Sequence, residues 1–190
     1  LLRIFARLGD KKALEMVLHT LREMAKGGIY DQVGGGFHRY STDDRWHIPH
    51  FEKMLYDNAQ LAVNYLEAYQ ASRDEDLARV ARETLDYVLR DMTHPEGGFF
   101  SAEDADSLPP ELKGKIEDVG HEHQSEGAFY LWTRSEVLDT AGRAAGEIFS
   151  YRYGIKPEGN AESDPRGEFR DKNILHAAHS AQETAGKFGK

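Results

Sequence analysis

The sequence predicts an all-α chain of stacked helical hairpins, and three observations carry that expectation. Apolar residues recur at three- and four-residue steps in three runs, from Leu14 to Met24, Phe51 to Tyr69 and Leu77 to Met92. That is the spacing of helices with one buried face. Glycine or proline closes two of the runs, at Gly27-Gly28 and at Pro95-Glu96-Gly97-Gly98, where a helix stops. A motif also comes twice: one helical run ends in Gly27-Gly28-Ile29-Tyr30 and a later one in Gly97-Gly98-Phe99-Phe100. Repeated hairpins with their loops at one end would read this way.

The first of these helices buries Leu14, Val17, Leu18, Leu21 and Met24. The second is expected to start near Pro49, because proline suits a first turn and Glu52 would sit near the positive end. Its apolar arc is Phe51, Leu55, Ala62, Leu66 and Tyr69, and Ser72-Arg73-Asp74-Glu75 reads as a tight turn. The third runs through Leu77, Val80, Leu85 and Val88 to end near His94. Gly98 to Ser101 and Ala128 to Trp132 are expected to pair as a short antiparallel β-hairpin insertion. A fourth helix is expected from Ser135, as N-cap, to about Tyr151. Residues 154–170 read as loop, and Asn173 to His176 is too short for an assignment. Both ends lie in helix-compatible patterns, so residues 1–190 are expected to be part of one domain cut at both ends.

Composition narrows the function classes. At 190 residues and 39% hydrophobic content, the chain can bury a core. A net charge of −9 leaves only short basic spots, Lys11-Lys12, Lys113 and Lys115, too few to neutralise a run of phosphates. The absence of cysteine excludes disulfides, thiolate metal sites and dithiols within these residues; it fits a reducing compartment, and a cytoplasmic location is expected. No apolar run approaches the roughly 20 residues of a membrane span. Neither nucleic acid nor membrane is expected as a partner.

Long motifs carry a family resemblance. Gly27-Gly28-Ile29-Tyr30-Asp31-Gln32, Gly34-Gly35-Gly36-Phe37, Arg39-Tyr40-Ser41, Trp46 and the run from Pro49-His50-Phe51-Glu52-Lys53-Met54 to Leu61 resemble the YyaL-type, thioredoxin-domain-containing family related to spermatogenesis-associated protein. Ser101-Ala102-Glu103-Asp104-Ala105-Asp106-Ser107, Phe129-Tyr130-Leu131-Trp132-Thr133 and Lys172-Asn173-Ile174-Leu175-His176 resemble its later signatures. The resemblance implies a thioredoxin-like domain, outside this chain and covalently linked to it. It also implies a fragment of an (α/α)6 toroid of the six-hairpin glycosidase type, related to N-acylglucosamine 2-epimerases.

The candidate chemistry centres on residues 27–61 and 103–106. On a helix begun at Pro49, His50, Lys53, Asp57, Gln60 and Asn64 share one stripe, either a solvent face or a face turned to a central cavity. Asn58 falls inside the apolar arc, and its amide is expected to brace the glycine turn, since a buried amide needs partners. Gly34-Gly35-Gly36 lacks the lysine and hydroxyl residue of a nucleotide loop, so its glycines serve backbone freedom and close approach. Phe37, Tyr40 and Trp46 offer flat faces, and Tyr30, Asp31 and Arg39 offer hydrogen bonds, the combination that sugar rings require. Glu103, Asp104 and Asp106 form an acidic group that reads either as a solvated turn or as carboxylates at a cavity mouth. His121 and His123 form a pair without a third ligand, so no metal and no cofactor are expected.

The leading expectation is sugar epimerisation or isomerisation by proton transfer. His50 is the acid/base candidate, supported by Glu52 or Asp57, with Tyr30, Arg39 and Trp46 touching substrate and the fragment alone inactive. The alternatives are glycoside hydrolysis by Asp31, Asp57, Glu103, Asp104 or Asp106, and a non-catalytic binding or scaffold module attached to the thioredoxin-like domain.

Overall fold

Side chains that catch otherwise orphaned backbone N–H groups set most of the helix starts. The computed structural model describes residues 1–112, 114–115, 123–161, 167 and 169–189; His121 of the histidine pair lies outside the described residues. Asp10 caps the second helix, its carboxylate accepting from Lys12 N at 2.9 Å and Ala13 N at 3.2 Å. Helix α1 (Leu2–Leu8) ends at Gly9, left-handed at φ 67°, and α2 (Lys11–Lys26) starts directly after Asp10. α3 (Leu55–Ser72) and α4 (Glu75–Asp91) form a hairpin through Arg73, left-handed at φ 61°, and Asp74, which caps α4. Arg22 of α2 donates to the same Asp74 carboxylate at 2.7 Å, which fastens α2 to the hairpin. α5 (Arg134–Ala141) and α7 (Ala181–Phe188) each open with a capping box, Thr133 with Glu136 and Ser180 with Glu183, and α6 (Arg143–Arg152) lies between them.

The main core joins Leu18 and Leu21 of α2, Tyr65 and Ala68 of α3, and Leu77 and Val80 of α4 to Ile29, Tyr30 and Phe37. A second cluster holds Ile48, Phe51, Ala105, Leu131 and Ile174, and a third holds Val137, Ile155 and Leu175. Three antiparallel two-residue pairs knit the loops: β1 (Tyr40–Ser41) with β2 (Pro49–His50), β3 (Lys53–Met54) with β4 (Ala102–Glu103), and β5 (Asp106–Ser107) with β6 (Ser125–Glu126). The fold is thus mostly α with small strand pairs. Among the described residues no helix is long and apolar enough to cross a membrane.

Four expectations need correction. The second predicted helix starts at Leu55, not near Pro49. Partners elsewhere in the chain engage the preceding backbone: Arg39 N donates to the Glu52 carbonyl at 2.7 Å, and Phe51 N to the Glu126 carboxylate at 3.3 Å. The expected hairpin between 98–101 and 128–132 does not form; Phe99 bridges Thr93, Trp132 bridges Asn173, and residues 127–130 are turn. The fourth predicted helix is two helices divided at Gly142, and its cap is Thr133 rather than Ser135. Finally, the two glycine pairs are not equivalent. Gly28 is buried where a Cβ would stand 2.1 Å from the His47 carbonyl oxygen, whereas Gly97 and Gly98 face open space at φ 94° and 82°.

Asn58 does brace the glycine turn. Its Oδ1 accepts from Phe37 N at 2.7 Å, and its Nδ2 donates to the carbonyls of Phe37 at 3.0 Å and Met54 at 2.9 Å. The Asn58 side chain and both bonds to Phe37 are buried, and each buried group left without a partner costs about 1–3 kcal/mol. Asn58→Ala is therefore expected to lower stability in urea unfolding by about 2–4 kcal/mol. A loss below about 1 kcal/mol would show that the brace is dispensable.

Candidate functional site

Residues 49–54 are extended, so successive side chains point to opposite sides. Phe51 and Lys53 face inward and line an open cleft of about 1310 Å³; His50 and Glu52 point away and do not line it. That alternation decides the site. Lys53 is 1% exposed, and its ammonium donates to Asp31 at 2.8 Å and to the Gly35 carbonyl at 3.0 Å. It also lies over two phenol rings, 4.2 Å from the Tyr87 centroid and 4.8 Å from that of Tyr130, contacts that gain strength out of water. Gly36 makes room for Tyr87, since a Cβ there would fall 2.4 Å from the ring, and its φ of 78° suits glycine.

The two phenols converge on one carboxylate. Tyr87 donates to Glu103 Oε2 at 2.7 Å, and Tyr130 donates to Glu103 Oε1. The pairing of β3 with β4 sets Glu103 opposite Lys53 in register. Burial first, and then the bond to Glu103, push both phenols up from their ordinary range, so they remain donors. Tyr30, also in the cleft wall, donates to Glu83 and is raised by burial and by that bond. Burial alone would raise Asp31, but the Lys53 charge and hydrogen bond, together with the Gly34 and Val33 N–H groups, outweigh it and hold the carboxyl below the ordinary range. His38 closes the wall beside Phe51 and Tyr130. Burial, followed by the Lys53 charge, lowers its imidazole to about 3. It is neutral, with Nδ1 donating to the Phe51 carbonyl at 3.0 Å.

Of the residues singled out in the sequence, Tyr30, Asp31, Lys53 and Glu103 share this cleft. A second, separate group gathers outside it. His50 Nδ1 lies 2.7 Å from Glu126, Arg39 pairs with Glu52 at 2.7 Å, and Tyr40 stacks on His50 at 5.0 Å between centroids. Asp57 carries a buried Oδ2 without a partner among the described residues; burial raises its carboxyl, Arg39 opposes that rise and Glu52 adds to it. Phe37 is core, and Trp46 packs against the same core with φ at 62°. Asp104 and Asp106 are exposed, Asp104 capping the Asp106 N–H at 3.0 Å. The expected convergence of His50, Asp57 and Arg39 with Tyr30 and Glu103 is corrected accordingly, because the extended segment turns His50 and Glu52 away from the cleft, where Glu126 and Arg39 hold them. Sequence reading missed Tyr87, Tyr130, Glu126 and His38. Tyr87 could have been found as a tyrosine on the buried face of α4, and the others only through distant pairing. Among the described residues no cluster of three or more His, Cys, Asp or Glu could hold a metal ion.

The buried pair gives a stability prediction. Asp31 sits below its ordinary value of 3.8 in the folded chain, so the pair adds stability above that value and loses it as pH falls through the folded value. Lys53→Met leaves a buried charge alone, at a cost of about 3–5 kcal/mol at neutral pH. In that variant burial is opposed only by the Gly34 and Val33 N–H groups, the Asp31 carboxyl rises relative to the wild type, and the stability lost on acidification should shrink. Adding Asp31→Asn should recover most of the loss. Urea unfolding across pH checks this; equal costs for the single and double variants would refute the coupling.

No family model matches the chain. It is 48% identical over 189 residues to spermatogenesis-associated protein 20 of Homo sapiens, spanning 94% of this chain and 23% of that protein. The protein of the same name from Mus musculus is also 48% identical, again over 94% of this chain and 23% of its own length. An uncharacterized protein of Caenorhabditis elegans is 35% identical over 185 residues, or 92% of this chain and 24% of its own. The chain therefore spans about a quarter of the length of these relatives, and its named homologues are spermatogenesis-associated protein 20.

Proposed function

We propose that the cleft binds a polyhydroxylated, sugar-like ring and that this chain supplies binding surface rather than the proton-transferring group. The observation that carries the reading is Glu103, fixed at both oxygens by Tyr87 and Tyr130. A carboxylate offers about four lone-pair sites, so two remain for ligand hydroxyls. Around it Phe100, Phe129 and Trp132 line the cleft, and Phe129 is 69% exposed. Flat apolar faces beside fixed acceptors suit a sugar's C–H surface and hydroxyls.

Three titratable groups in the cleft wall are already committed. Asp31 is tied to Lys53 and Tyr30 to Glu83, while His38 is a weak base. Glycoside hydrolysis needs one carboxyl kept protonated near neutral pH, and Asp31 is shifted the other way. Epimerisation would draw its base from another part of a longer, toroid-like protein, where further hairpins would close the cleft. In that setting a linked thioredoxin-like domain is a neighbour rather than a component of the site.

The test is titration of the chain with free hexoses and N-acetylhexosamines, read by Tyr87 and Tyr130 resonances and by Trp132 fluorescence in a Trp46→Phe background. Saturable shifts are expected, and Glu103→Gln should weaken them about tenfold while the chain stays folded. Exchange of sugar protons with heavy water should stay at background. Absence of saturable shifts, or undiminished binding by Glu103→Gln, would replace the sugar reading with a scaffold role.

A further inference from the structure

A second cavity, of about 820 Å³, backs onto the first across a shared wall. Gly28 and Ile174 face the cleft, whereas the adjacent Gly27 and His176 face this cavity. The wall is tied by Ala177 N donating to the Lys26 carbonyl at 2.7 Å. Inside it the His47 ring meets His176 edge-on, centroids 4.5 Å apart. His47 Nε2 lies 3.1 Å from the Asn160 carbonyl, and His176 Nδ1 lies 3.3 Å from that of Ile174. Each ring therefore donates through one nitrogen, which leaves His176 Nε2 as a lone pair when that ring is neutral.

Two polar groups of this cavity have side chains without a protein partner among the described residues. Ser150, 4% exposed, has a buried hydroxyl with no partner among the described residues; it does not bond back to the preceding helical turn as helical serines commonly do. Among the described residues the exposed Lys156 forms no ion pair with any carboxylate, and its charge acts on His176. The carboxylates lining the cavity have partners among its own lining residues or face solvent. Glu23 holds Lys26 at 2.9 Å, and Asp43 accepts from the backbone N–H groups of Arg45, His47 and Ile48. Asp44 points into solvent, 3.9 Å from Arg45. A hydroxyl, an ammonium and an imidazole cluster call for an acceptor-rich, negatively charged guest.

We propose that this second cavity is a binding site for the oxyanion group, phosphate or carboxylate, of a small molecule, held by Lys156 and Ser150 beside His47 and His176. Bound anion also changes the histidines. Burial, then the charge of His47, and further that of Lys156 and His179, lower His176 to about 4. Burial first, with the Lys156 charge adding to it, thus keeps the ring neutral. An anion placed beside it favours the charged ring, and protonation and binding reinforce each other.

The test follows the imidazole resonances of the nitrogen-15-labelled chain during titration with inorganic phosphate or acetate at constant ionic strength in chloride. Phosphate is expected to shift His47 and His176 saturably and to raise the His176 midpoint above about 4. Ser150→Ala and Lys156→Gln should keep the wild-type melting temperature while weakening phosphate binding about tenfold for the lysine and less for the serine. Saturation by acetate alone equally supports the site and assigns it to carboxylates. Shifts that also move His19 and His50 in parallel, or wild-type binding by both variants, would overturn it.

Discussion

The buried ion pair of Lys53 and Asp31 organises everything around it. An ammonium with 1% exposure tolerates few alternative placements, since an unpaired charge in that position is far costlier than any single contact nearby. Its reach therefore decides which way the extended segment 49–54 faces. With Lys53 turned inward, Phe51 follows it and His50 and Glu52 must turn out. The same ammonium holds the glycine turn through the Gly35 carbonyl and sits over the rings of Tyr87 and Tyr130. A pair of this kind adds little net stability when compared with packed hydrocarbon. What it gives this chain is a unique register between the glycine turn, β3 and the face of α4.

From that register follows a division of labour between two polar groups that the sequence intermixes. Inside, cation, phenols and carboxylates form a closed chain of contacts running from Asp31 through Lys53 to the Tyr87–Glu103–Tyr130 clamp. Outside, Arg39, Glu52, His50 and Glu126 make a half-exposed cluster in which solvent moderates each pairing. The inner group is rigid because each member is tied by at least one partner out of water, where such bonds are stronger. Rigidity of this kind favours selective binding over proton exchange, which needs a group free to change its charge.

The histidines illustrate the same rule in different surroundings. His38 and His176 both lose basicity first through burial, and each has a neighbouring cation that deepens the effect. His38 is sealed beside Lys53, so it stays neutral down to about pH 3. His176 borders a cavity, so its surroundings can change when an anion enters, and its charge can change with them.

Local pattern in the sequence was enough for the helices: the periodic runs of α2 and α4 and the glycine stop at Gly27 stand where the pattern puts them. Asn58 was also legible, because an amide on an apolar arc must find partners, and the glycine turn beside it supplied them. The start of α3 was not. Pro49 and Glu52 satisfy the local rules for a first turn, yet those rules carry only tenths of a kcal/mol to about 1 kcal/mol. They are outweighed by a buried ion pair and by backbone bonds to residues tens of positions away. Helical spacing would have set His50, Lys53 and Asp57 on one stripe, and strand alternation separates them. By itself, then, the sequence determined the helical class, the stops and the need for an amide brace, because these depend on neighbours within a few residues. Tertiary structure alone decided which charged side chains face the cleft, because that depends on where a buried ammonium finds its carboxylate.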